Sequence, residues 1–171
     1  MRAAVCPSQT QPGFTGPGSF AELVAVHAAD ANPVSVPETV DFVAAAGLGG
    51  RLATAFRAVT AHGRVRAGEW LAVHDCGGVG LPAVMIGAAL GARVVAIDVS
   101  APALSRAREL GALYTVHAGA GDAAVAVAEI TGGGAHVSLD ALGSPATAAS
   151  SVRRLRRRRI RPAVISSREP H

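Results

Sequence analysis

With 171 residues, half of them hydrophobic and 4% aromatic, the chain has material for one domain with an aliphatic, alanine-rich core, and too little for two full ones. Its formal charge of +4 belongs to a tail: all 16 basic residues are arginine and seven lie between Arg153 and Arg161, whereas residues 1–152 hold eight arginines against eleven acids. This pattern argues against a nucleic-acid-binding body, no motif or aromatic residue accompanying the arginine run. Cys6 and Cys76 show no metal or redox spacing, so the expected compartment is a reducing cytoplasm.

In chain order, residues 1–14 lack an apolar segment long enough for a signal peptide. Ser19 to Val26 reads as a strand, and Pro33 and Pro37 mark an extended linker. Val40 to His62 reads as two alanine-rich helical stretches interrupted by Gly47-Leu48-Gly49-Gly50. Trp70 to His74 is then an apolar run of strand length, and Asp75-Cys76-Gly77-Gly78-Val79-Gly80 a turn dense in glycine. Leu81 to Leu90 has helical spacing and stops at Gly91, and Arg93 to Ile97 is a second strand ending at Asp98. The uncharged run from Cys76 to Ala92 is shorter than the roughly 18 residues of a membrane span and predicts a buried helix.

Ser100, with Pro102 in the first turn and Gly111 beyond the end, predicts a helix over Ala101 to Leu110. Leu113 to His117 is a third strand, Asp122 to Ile130 a helix stopped by Gly132-Gly133-Gly134, and Ala135 to Leu142 a fourth strand. Ser144-Pro145 opens a helix that runs into the arginines, and Ile160 to Ile165 reads as a compromised fifth strand. Strands alternating with helices predict an α/β fold, a doubly wound parallel sheet in the order 3-2-1-4 with helices on both faces. No repeat of fixed period is present.

The stretch from Gly68 to Ser100 carries the chemistry. Glycines let a backbone approach a pyrophosphate, whose charge is stabilised by unpaired N–H groups at a helix N-terminus, so Gly77, Gly78, Val79 and Gly80 are the candidate dinucleotide turn. Asp98, 18 residues after Gly80, is placed to accept hydrogen bonds from a ribose diol and to repel a 2′-phosphate, which favours NAD over NADP. The G-x-G-x-x-G pattern wants glycine at position 75; Asp75 adds a Cβ and a negative charge beside the phosphate path, so NAD binding is expected to be weak.

The phrases GSFAELVAV, DFVAAAGLGGRLATAFRAV, GRVRAGEWLAVHDCGGVGLPAVMIGAALGARVVAIDVS and GGGAHVSLDALGSPAT resemble, in wording and order, the zinc-containing medium-chain alcohol dehydrogenases. That resemblance implies a GroES-like catalytic domain followed by a Rossmann domain, and hydride transfer between NAD(P) and an alcohol or carbonyl. It divides the chain into 1–50, a remnant of the GroES-like domain with linker; 51–155, an incomplete NAD-binding Rossmann domain; and 156–171, a divergent arginine-rich tail. Against a family enzyme about twice as long, the chain is expected to be truncated, beginning inside the catalytic domain and leaving the family wording after the arginine run.

The resemblance also assigns positions. Cys6 matches the last cysteine of the structural-zinc lobe; with a single thiolate it is expected to be a free thiol. Gly50, in GLGGRLATA, stands where the family has a catalytic-zinc cysteine, and the histidines are scattered singly and expected to be surface or strand-end residues, so zinc is expected for the family but its ligands are absent here. Thr54 matches a threonine beside the nicotinamide ring, and Leu142-Gly143-Ser144 a loop near the nicotinamide ribose. The resulting expectation is a fragment of a zinc-dependent alcohol dehydrogenase, without catalytic activity and binding NAD weakly if at all. Two alternatives stay open: a zinc-free oxidoreductase like the quinone reductases, and a non-catalytic protein that binds a dinucleotide, forms homo-oligomers or pairs with a full-length homologue through an exposed sheet edge.

Overall fold

The computed structural model describes residues 8, 10–31, 33–156 and 162–164, the last three as backbone; Cys6 lies outside the described residues. The chain divides into two compact units, Met1–Asp41 and Phe42–His171. Among its described residues the first unit has turns and an isolated bridge between Pro12 and Gly16, but no strand. The strand expected over Ser19 to Val26 is therefore not formed: an apolar run becomes a strand only with a ladder to pair with, and this unit supplies none.

The second unit opens with α1 (Phe42–Gly47), a π-helical turn (Leu48–Leu52), α2 (Ala53–Arg57) and a second π-helical turn (Ala58–His62). The break expected at Gly47-Leu48-Gly49-Gly50 is absent, since the chain stays right-handed helical through Gly47 at φ −74° and ψ −22° and widens into a π turn instead. Glycine permits a break but does not compel one, and here the helix continues because Ala55, Ala58 and Val59 are buried beyond it. The boundary expected after residue 50 falls inside this run.

The sheet that follows is parallel, with β1 (Trp70–His74), β2 (Arg93–Asp98), β3 (Tyr114–His117), β4 (Val137–Asp140) and β5 (Pro162–Val164) in the order β3-β2-β1-β4-β5. The expected 3-2-1-4 core is observed, and a fifth strand, described over Pro162–Val164 within the expected Ile160 to Ile165, joins outside β4 with Ser138 opposite Pro162. The register pairs Trp70 with Arg93 and Leu71 with Val137, aligning the carboxyl ends of β1, β2 and β4 along one edge.

Burial on both faces accounts for the unbroken apolar strands. Leu71 and Val73 face one core with Val84, Val94 and Leu139, while Trp70 and Ala72 face another with Val95, Ile97 and Val127. Helix α3 (Gly80–Ala89) is apolar all round and packs so closely on β1 that a Cβ at Gly87 would lie 2.7 Å from Leu71 Cδ2. Helix α4 (Ala101–Glu109) is capped by Ser100, α5 (Ala123–Thr131) by Asp122, and α6 (Pro145–Arg153) by a capping box of Ser144 and Thr147. Gly132 ends α5 in the left-handed region at φ 64°. No helix among the described residues is long and apolar enough to cross a membrane.

Candidate functional site

At the carboxyl end of β1 the chain must reverse within a few residues to enter α3. Asp75 takes the left-handed turn this demands, at φ 71°, with its amide donating to the Ile97 carbonyl at 2.9 Å. Non-glycine residues rarely adopt this conformation, and Asp is among the few that tolerate it. The turn then passes so close to itself that a Cβ on Gly80 would stand 1.7 Å from the Asp75 carbonyl oxygen. Glycine at position 80 is therefore a steric requirement.

The Asp75 side chain folds over its own turn, Oδ2 accepting from the Gly77 amide at 3.1 Å. Burial raises the Asp75 pKa; the Gly77 amide opposes the rise, and the carboxylates of Asp98 and Asp140 add to it. One amide of the expected phosphate turn is thus already occupied. The amides of Gly78, Val79 and Gly80 donate to no partner among the described residues and lie at the N-terminus of α3, where the helix dipole favours an anion. Over Gly78 lies the side chain of Arg51, which the sequence did not single out: a Cβ on Gly78 would sit 2.7 Å from Arg51 Cδ and 2.8 Å from Nε.

Asp98, at the end of β2, is tied to the same turn. Its Oδ2 accepts from the Cys76 amide at 2.6 Å and its Oδ1 from the Ser100 amide at 2.8 Å. A carboxylate offers about four acceptor positions, so two remain for a hydroxyl-bearing ligand. Cys76, between the two acids, is buried, and burial with Asp98 and Asp75 pushes its thiol up to about 12; it is an inert thiol rather than a nucleophile.

Beyond β4, Asp140 orders the loop that holds Gly143. Its Oδ1 accepts from the Leu142 and Gly143 amides, each at 3.1 Å, and its Oδ2 from Thr147 Oγ1 at 3.0 Å. Gly143 sits at φ 74°. Thr54, on α2, is exposed and donates its hydroxyl to the Gly50 carbonyl at 2.7 Å. The structure gathers Gly77, Gly78, Val79, Gly80, Asp98 and Gly143 at one edge of the sheet and leaves Thr54 on the helical segment that carries Arg51.

A hollow of about 290 Å³ opens between these strand ends, lined among others by Asp75, Asp98, Val99, Leu142, Thr147 and Arg154. A larger one of about 600 Å³ lies in the first unit, between Thr10 and His27, and holds none of the expected site residues. At the floor of the smaller hollow is a network the sequence did not show. His74, expected at a strand end or on the surface, is 2% exposed, and Arg154, from the arginine run, is 5% exposed. Arg154 Nη1 donates to His74 Nδ1 at 2.7 Å, His74 Nε2 lies 3.2 Å from Ser138 Oγ, and that hydroxyl is 2.7 Å from Ser151 Oγ. Burial and the neighbouring guanidinium lower His74 to about 3, so the ring is neutral, accepting at Nδ1 and donating at Nε2. Arg154 Nε is buried without a partner, and burial lowers the guanidinium to about 10, still a cation at neutral pH. The alternation of β1 puts His74 on the face of Trp70 and Ala72, but its partner 80 residues away carries no sequence signal.

The residues described do not suit a zinc centre. Gly50 has no donor side chain and only open space where a Cβ would point, and no group of three or more His, Cys, Asp or Glu residues able to hold a metal occurs among the described residues.

Residues 78–158 match the family model for zinc-binding dehydrogenases. The chain is 32% identical over 153 residues to an alcohol dehydrogenase of Geobacillus stearothermophilus, a match covering 90% of this chain and 44% of that protein. The solved structure of alcohol dehydrogenase TADH from Thermus sp. ATN1 superposes with a TM-score of 0.82 at 28% identity, covering 93% of this chain and 47% of the other. A quinone oxidoreductase from Pseudomonas syringae pv. Tomato DC3000 superposes with a TM-score of 0.65 at 29% identity, over 72% of this chain and 38% of the other. The chain spans about half the length of the relatives it matches.

Proposed function

Because the chain belongs to the zinc-containing medium-chain alcohol dehydrogenase family, we propose that its strand ends hold a dinucleotide, with NAD favoured over NADP, as the cofactor-binding part of an alcohol-dehydrogenase-like oxidoreductase. The observation that carries this reading is the pairing of three open amides at the start of α3 with a carboxylate held beside them, Asp98 on the Cys76 amide at 2.6 Å. The amides of Gly78, Val79 and Gly80 bind the pyrophosphate, and Asp98 accepts from the ribose diol. The Gly143 loop and Thr54 orient the nicotinamide half. When bound, NAD supplies the hydride acceptor, and the chain's own residues fix its position and direction.

Asp75 makes this binding weak. Its carboxylate occupies the Gly77 amide and sets a negative charge beside the phosphates. These residues hold the dinucleotide without oxidising an alcohol, because position 50 offers no donor to a Lewis acid that would stabilise an alkoxide. Calorimetric titration with NADH and NADPH tests the reading: NADH binds weakly and NADPH more weakly still. Tighter binding of NADPH, or no binding of either, refutes it.

Likeness to a quinone oxidoreductase and a glycine at position 50 favour a second reading, zinc-free reduction of a quinone. Consumption of NADH or NADPH on adding a quinone decides for it.

A further inference from the structure

Among the described residues, Arg51 sets a cation over the glycine turn, and its position has a chemical meaning. It lies in the π-helical turn Leu48–Leu52, on a helical segment that packs beside α3, and its Cδ, Nε and Cζ stand 2.7, 2.8 and 3.1 Å from where a Gly78 Cβ would be. Any side chain at position 78 would displace it. The guanidinium is exposed, and no hydrogen bond or ion pair holds it among the described residues. Around the turn stand Asp75, Asp98 and Asp140, each engaged by backbone amides. Among the described residues, an incoming diphosphate therefore meets these three carboxylates, the three open amides and, above the turn, the Arg51 guanidinium.

We propose that Arg51 clamps the diphosphate of the nucleotide against the amides of Gly78, Val79 and Gly80, and that the site accordingly selects nucleoside diphosphates over nucleosides. This rests on the dinucleotide reading above and adds a residue to it. A guanidinium presents a planar fork of donors that matches phosphate oxygens, and amides alone do not offset the acid charge of this turn. Asp75 and Arg51 act in opposition on the same ligand group, one from within the turn and one from above it.

The test compares ADP-ribose, ADP and adenosine, bound to wild type, Arg51→Gln and Arg51→Lys, by calorimetry and ligand-observed NMR. Arg51→Gln should weaken ADP-ribose and ADP by about tenfold or more, as expected for loss of a charge-assisted hydrogen bond, and leave adenosine unchanged. Arg51→Lys should fall between, keeping charge but losing the fork. Raising the salt concentration should weaken ADP in wild type more than in Arg51→Gln. Because Arg51 is exposed, the melting temperature should stay put. Equal ADP affinity in wild type and Arg51→Gln, or an equal loss for adenosine, overturns the role of Arg51 alone. A wild type that binds neither ADP nor ADP-ribose overturns the dinucleotide reading with it.

Discussion

Replacing Asp75 by glycine should tighten NADH while leaving the fold nearly as stable as before. On the folding side the terms offset. The residue sits at φ 71°, which costs a non-glycine residue roughly 1 kcal/mol, and glycine removes that strain. Glycine also costs roughly 0.5 to 1 kcal/mol in chain entropy and gives up the 3.1 Å hydrogen bond from Gly77, about 1 kcal/mol at most at a half-buried site. On the binding side the terms add. The Gly77 amide becomes available, and one negative charge leaves the phosphate path; an interaction over a few ångströms at intermediate dielectric is worth on the order of 1 to 3 kcal/mol, or about five- to 150-fold in affinity. Asp75→Asn separates the contributions, since it keeps the acceptor and tolerates the same φ but carries no charge. Calorimetry on the three proteins at low and high salt reads both, the charge component shrinking with salt and the geometric one persisting. Because the Asp75 carboxyl is raised, lowering the pH through its titration should tighten NADH in wild type and do less in Asp75→Asn. Identical affinity in all three proteins would refute the argument that position 75 limits binding.

Gly80→Ala should destabilise the domain by at least about 3 kcal/mol in urea unfolding, because its Cβ would meet backbone oxygen at 1.7 Å and neither partner can turn away. His74 titrates in the unfolded chain near its ordinary value but at about 3 when folded, so stability should be lost as the pH falls from about 6.5 toward 3, by up to about 5 kcal/mol; His74→Phe should flatten that slope in pH-dependent melting. Arg154→Met removes a buried cation with an unpaired Nε, and the melting temperature should stay level or rise, whereas a fall of several degrees would show that the cation stabilises the fold. Gly50→Cys should bring neither zinc by elemental analysis nor alcohol oxidation, since one thiolate does not make a three-ligand site.

Much of this protein was written locally. The order of elements from Trp70 to Arg153 follows from apolar runs of strand length, from Ser100, Asp122 and Ser144 as caps, and from Gly91, Gly111 and Gly132 as stops, each acting within a few residues of itself. The turn from Asp75 to Gly80 and the acid at Asp98 were legible for the same reason, with strand, turn and helix adjacent in the chain. The helical segment from Phe42 to His62 was only partly legible: glycines at 47, 49 and 50 look like a break, and burial of Ala55, Ala58 and Val59 carries the helix through them. Ser19 to Val26 had the composition of a strand and lacked a partner. Tertiary structure alone decided that Arg51 covers Gly78, 27 residues away, and that Arg154, one of seven arginines between Arg153 and Arg161, turns inward onto His74. Such contacts leave no periodicity, because they depend on how helices fall across a sheet, and the two side chains that meet there carry no local mark of each other.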